Sequence, residues 1–155
     1  MRHVEGLIFD WGRTLYDPEA GAPFPDAPLV LDALAATYRR AIVSLVSGDD
    51  YRARVAARHD VLREHDLARH FAAILFGQSD KDRLYREALA LLALTPAKVA
   101  VIDDRVIRGV AWGNRHGATT IWLRNGKFRD EVPSTQTGTP THTICRLEEL
   151  PGLLA

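Results

Sequence analysis

A chain of 155 residues that is 46% hydrophobic and 26% charged carries enough apolar surface for one ordinary globular core and too little length for two, so residues 1–155 read as a single domain. Its 20 basic and 20 acidic residues cancel, which leaves no overall field to draw nucleic acid, an acidic lipid surface or any strongly charged polymer. A lone cysteine, Cys145, rules out an internal disulfide framework and fits a reducing compartment, with the cytoplasm as the default.

The first apolar run, VEGLIF, is far too short for a membrane span or a signal-peptide core and stops at Asp10; it is predicted as a strand. Residues 17–26, with three prolines and a glycine, form a loop, and Asp26 with Pro28 then opens a helix through Leu31, Leu34, Ala35 and Tyr38. AIVSLV runs into Ser47 as the next strand, and Tyr51, Val55 and Leu62 mark the helix after it. AAILF leads to Gly77, and Ser79 or Asp80 starts a helix whose apolar positions are Leu84, Ala88, Leu91 and Leu92. VAVI before Asp103 and TTIWL before Arg124 are two more strands; a Thr/Ser/Gly/Pro-rich loop over 132–143 precedes a short strand, HTIC, and a closing helix around Leu147 to Leu154. His59, His65 and His70 lack the spacing of a ligand pair on one helix face and read as surface or boundary residues.

Strands that alternate with helices, and that are apolar almost throughout, predict an α/β fold: a three-layer, open, mostly parallel Rossmann-like sheet with helices on both faces. In such sheets ligands bind beyond the carboxyl ends of the strands. The residues delivered there are Asp10 after the first strand, Ser47 and Gly48 after the second, Lys81 after the third, and Asp103 with Asp104 after the fourth. Carboxylates, a hydroxyl and an ammonium in one crevice suit a phosphoryl group: hard oxygens hold Mg2+, the other groups hold phosphate oxygens, and a carboxylate can attack phosphorus. Each residue also has an ordinary reading. Asp10 can cap a turn, Ser47 and Asp104 can be helix N-caps, and Lys81 in the charged stretch Asp80 to Arg83 can face solvent. Two like charges side by side, Asp103 and Asp104, favour a cation between them. Trp11 and Arg13 flank Asp10; Trp112 and Trp122 fall in a helix and a strand and suit a core or an interface.

The segments LIFDWGRTL, IVSLVSGDD, QSDKDRLYREAL, VAVIDDRV and GNRHGATTIWL resemble, in order and spacing, the signatures of the haloacid dehalogenase superfamily across nearly the whole chain. The resemblance implies Asp10 as nucleophile and metal ligand, with Thr14 and Ser47 as the hydroxyl positions. It implies Lys81 as the balancing cation, Asp103 and Asp104 as magnesium-binding acids, and the Gly12 carbonyl as a further metal ligand. It departs at Gly12, where family phosphatases carry the aspartate that protonates the leaving group; loss of such a group costs roughly a hundredfold to ten-thousandfold in rate. Arg108 and Gly109 stand where a further acid is often found. Neither usual cap insertion has room, and uncapped members of that family act on large substrates or cover the site by forming oligomers, so a homo-oligomer is left open.

Two functions therefore compete: a magnesium-dependent phosphatase working through an aspartyl phosphate, slowed by Gly12, and a catalytically impaired phosphate- and metal-binding regulatory module. Either takes a phosphorylated small molecule or macromolecule as partner. A phosphoacceptor receiver domain is disfavoured, because a receiver's acidic pair follows its first strand and here the pair follows a late one.

Overall fold

The computed structural model describes residues 3–155. Strand β1 (Gly6–Phe9) is followed by a hairpin, β2 (Tyr16–Asp17) and β3 (Ala22–Pro23), and by helix α1 (Ala27–Leu34). Then come β4 (Arg39–Leu45), α2 (Tyr51–Glu64), β5 (Ala73–Gly77) and α3 (Lys81–Leu92). β6 (Val99–Asp103) leads through a turn of π-helix, Val106–Val110, into α4 (Ala111–His116), which precedes β7 (Thr119–Leu123), β8 (His142–Ile144) and α5 (Leu150–Leu154). Six strands form one sheet in the order β5-β4-β1-β6-β7-β8, and every neighbouring pair is parallel.

The alternation of side chains along each strand makes two cores from one sheet. Leu7, Phe9, Ile42, Ala100 and Ile102 face one side and pack with α1 and α5, while Ile8, Ala41, Val43, Val99 and Val101 face the other and pack with α3 and Trp112 of α4. Strands buried on both faces favour apolar residues at every position, which is why β1 and the first four residues of β6 read as unbroken apolar runs, while β7 buries Thr119 and Thr120 ahead of its apolar residues. The predicted α/β class, with a parallel sheet between two helical layers, is the fold observed. Between β1 and β4 the chain holds only the hairpin and α1, and between β5 and β6 only α3 and one 3₁₀ turn, so no cap domain is inserted at either point.

The local departures have identifiable causes. Part of the predicted loop over 17–26 is the β2–β3 hairpin, turned by Gly21 at φ +68 and packed through Tyr16 against Trp11. Asp26 stands at the start of α1, but its carboxylate instead accepts the Glu148 amide (3.0 Å), tying the carboxyl-terminal segment to that helix. α1 stops at Leu34, and Tyr38 lies outside it, donating its hydroxyl to the Leu154 carbonyl at 3.0 Å. Leu91 is 56% exposed, so the buried face of α3 is Leu84, Tyr85, Ala88, Leu89 and Leu92. His70 is buried, contrary to its surface reading: it ends the 3₁₀ turn that swings the chain from α2 into β5, and its Nε2 lies 3.4 Å from Asp32. No helix of the described residues is long and apolar enough to cross a membrane.

Ile102 is fully buried in a central strand, beside both Asp10 and Asp103. Ile102→Ala should lower stability by about 2–5 kcal/mol, the usual loss for such a truncation, read as a lower urea midpoint with an unchanged denaturant slope.

Candidate active site

From β1 the chain passes to β4 and β5 on one side of the sheet, and later to β6, β7 and β8 on the other. The helical connections separate at this switch point and leave a crevice at the carboxyl ends of β1, β4 and β6. Asp10 is the first residue beyond β1, held by its amide on the Ile102 carbonyl (3.0 Å). Asp103 ends β6 and Asp104 follows it, while Lys81 is the first residue of α3, whose N-cap Asp80 accepts the Arg83 amide at 3.2 Å.

The Lys81 ammonium joins the two strand ends. Its Nζ lies 3.1 Å from Asp103 Oδ2 and 3.5 Å from Asp10 Oδ1, and its side chain is only 10% exposed. Lys81 therefore belongs to the crevice and not to a solvated helix face. Burial opposes its charge, but Asp10 and Asp103 outweigh that and hold the ammonium well above its ordinary range. Asp103 meets the same opposition from burial, and Lys81, Asp104 and the Arg105 amide together keep its carboxylate below the usual range. Asp10 is raised by burial, with Lys81 pulling against it and Asp103 adding to it.

Asp103 is thoroughly engaged. Besides Lys81, it accepts the Arg105 amide (3.1 Å) and the Gly109 amide (2.8 Å), and a β-carbon on Gly109 would lie 2.7 Å from its own Cβ. Only glycine permits that approach. The following loop is fixed from outside by Glu131, which accepts the Val106 amide (2.8 Å) and the Arg105 Nε (3.0 Å), with the Arg105 guanidinium lying over Phe128. The Trp122 indole donates to the Asp104 carbonyl (3.0 Å), which explains why a tryptophan is buried in β7.

Asp104 presents the unsolved charge. Its Oδ2 is buried and has no hydrogen-bond partner among the described residues, and burial first, then Asp103 and Asp10, push its carboxyl up to about 9. Asp10, Asp103 and Asp104 each bring a carboxylate oxygen within 4.8 Å of the other two. Hard oxygens with one orphaned buried atom are the donor set of a small hard cation, so these residues fit Mg2+.

The hydroxyls fall differently from the prediction. Pairing of Phe9 with Ile42 sets Asp10 level with Val43, so the hydroxyl beside Asp10 is Ser44, which bonds to it and accepts Arg58 Nη1 at 3.1 Å. Ser47 and Gly48 are exposed in the loop beyond β4, and among the described residues it is Ser44 and not Ser47 whose hydroxyl bonds to Asp10. IVSLVS holds both serines, and the strand register was the signal that separates them. Thr14 is fully buried, and its hydroxyl has no partner among the described residues. Gly12 offers a backbone carbonyl, and a β-carbon built on it meets nothing within 4 Å. Trp11 is buried and stacked on Tyr16, with ring centroids 5.3 Å apart. Arg58 escaped the sequence reading because an arginine in a charged helix has no local mark.

The HAD-hydrolase-like family model matches residues 81–150, the stretch from Lys81 through Asp103 and Asp104 to the last helix. The putative HAD-hydrolase YfnB of Bacillus subtilis, a structure bound to magnesium, superposes with a TM-score of 0.75 at 15% identity, covering 98% of this chain and 99% of that one. This chain shares that fold. A HAD phosphatase from Thermococcus onnurineus is also similar, with a TM-score of 0.64 and 20% identity over 86% of this chain and 58% of that one. In sequence, the chain is 29% identical over 68 residues to the glyceraldehyde 3-phosphate phosphatase of Methanopyrus kandleri. That match takes in 44% of this chain and spans only 29% of the relative's length.

An acid raised to about 9 in the fold, against 3.8 ordinarily, keeps a proton that the unfolded chain has released. Metal-free stability attributable to Asp104 is therefore full below about pH 4 and declines as pH rises toward 9. With chelator present, Asp104→Asn should unfold several degrees above the wild type at pH 8, the gap closing toward pH 4; a gap independent of pH would contradict the assignment.

Proposed function

We propose that this chain is a magnesium-dependent phosphohydrolase that works through a phosphorylated Asp10 and turns over ordinary phosphate esters slowly. The supporting observation is the Lys81 ammonium set between Asp10 and Asp103, next to the orphaned oxygen of Asp104. Asp10, Asp104 and the Gly12 carbonyl would hold the ion, with Asp103 in the same oxygen cluster but largely committed to Lys81 and to backbone amides. When bound, Mg2+ supplies positive charge that offsets repulsion between the nucleophile and an anionic substrate.

The chain's own groups account for the remaining steps. Asp10 is oriented by the Ser44 hydroxyl and the Trp11 amide, which leaves a carboxylate oxygen to attack phosphorus in line with the leaving oxygen. Lys81 keeps Asp10 ionised despite its burial and supplies a positive charge for the phosphoryl oxygens. Water then cleaves the acyl phosphate and returns the carboxylate. No carboxylate stands at position 12 to protonate the leaving group, so an ester oxygen must depart as the alkoxide, at a cost of roughly a hundredfold to ten-thousandfold. The substrate would be a phosphorylated small molecule or macromolecule reached through an uncapped crevice. Gly12 also favours the second reading, a binding module that keeps the ion and phosphate with little turnover.

Turnover of acetyl phosphate and para-nitrophenyl phosphate with Mg2+ should be present in the wild type and abolished in Asp10→Asn. Because the space beside Gly12 is open, Gly12→Asp should raise ester hydrolysis by at least about tenfold. Mg2+ should also raise the wild-type unfolding temperature and fail to do so in Asp104→Asn. Magnesium stabilisation without Asp10-dependent turnover would select the module.

A further inference from the structure

A second, cationic hollow lies against Gly12, two residues along the chain from Asp10. Trp11, Gly12, Tyr16, Arg54 and Arg58 are among the residues around a cavity of about 260 Å³. Arg58 reaches into this corner from α2, donates to the Ser44 hydroxyl that bonds to Asp10, and lies 5.2 Å from the Phe76 ring centroid. It is partly buried and has no carboxylate partner within ion-pair distance among the described residues, although Asp10 acts on it electrostatically. Arg54, one helical turn earlier and exposed, binds the Ser47 carbonyl and supplies a second guanidinium at the same wall. α2 thus turns two arginines toward the strand ends, and only Leu62 of that helix is fully embedded in the core.

A site that lacks a proton donor but has guanidinium groups there suits a leaving group that departs as an anion. We propose that Arg58, assisted by Arg54, binds the departing phosphate of a phosphoric anhydride in the space opened by Gly12, so that the preferred substrates are anhydrides rather than monoesters. This deepens the phosphohydrolase reading and rests on it. As the Asp10 oxygen bonds to the terminal phosphorus, the bridging P–O bond breaks and its electron pair leaves on the second phosphate, which needs no proton because it is a weak base. Arginine receives the growing charge through paired N–H donors. Water then adds to the phosphoaspartate, releasing the first phosphate and Asp10, and the surplus proton goes to solvent.

Non-hydrolysable imidodiphosphate and inorganic phosphate serve as binding probes, titrated calorimetrically into the full chain with excess Mg2+. The wild type should bind imidodiphosphate at least tenfold more tightly than phosphate. Arg58→Met should abolish that preference, Arg58→Lys should restore part of it, and Arg54→Ala, a surface change with little risk to folding, should reduce it severalfold. Pyrophosphate turnover relative to para-nitrophenyl phosphate should fall at least tenfold in Arg58→Met. Equal affinity for the two probes in the wild type, or a preference untouched by both Arg54→Ala and Arg58→Lys, would overturn the subsite. An arginine-dependent preference without Asp10-dependent turnover would leave the subsite standing and remove the phosphoenzyme chemistry. The reverse result, turnover without preference, would remove the subsite alone.

Discussion

Three carboxylates crowd the end of the sheet around one ammonium, and the Lys81 bridge between Asp10 and Asp103 is what allows them to remain there. Taking a charge out of water costs several kcal/mol, and a buried pair recovers that only where the geometry satisfies the remaining oxygens. Asp103 meets the condition with two backbone amides and the lysine. Asp104 does not, and in the absence of a cation its burial favours the protonated form. The crevice is therefore electrostatically incomplete in a specific way: one bound divalent ion would let Asp104 ionise and would lower the repulsion felt by Asp10.

The scaffold explains how such a cluster stays rigid. Asp10 and Asp103 hang from adjacent parallel strands whose apolar faces are locked by two helical layers. The loop after Asp104 is held by Gly109, by Glu131 and by the Trp122 indole, none of which belongs to the acidic cluster. Preorganisation of this kind matters for phosphoryl transfer, where positioning and charge stabilisation supply most of the rate.

Gly12 and Arg58 are best understood together. A glycine at position 12 brings neither a proton donor nor a negative charge, and the corner beside it is bordered by guanidinium groups from α2. The local potential is thereby shifted toward accepting anions. An uncapped sheet edge leaves that corner open, so selection among substrates would fall to the helix and the β2–β3 hairpin instead of to an inserted domain.

Most of the architecture was legible in the sequence, because strands buried on both faces must be apolar throughout and helices buried on one face must repeat at their own period. Asp10 and Asp103 were legible for the same reason: each is the first polar residue to interrupt or follow such a run, and Asp104 comes directly after. Choices that depend on register were not. Ser44 lies within an apolar strand and Ser47 just after it, and only the pairing of β4 with β1 shows which hydroxyl meets Asp10. Lys81 and Arg58 lie in charged helices, where a chain read in one dimension cannot distinguish a solvated cation from one turned into a crevice. Periodicity reports which face of an element is buried, whereas the meeting of groups from different elements is decided by how those elements pack, and that information exists only in three dimensions.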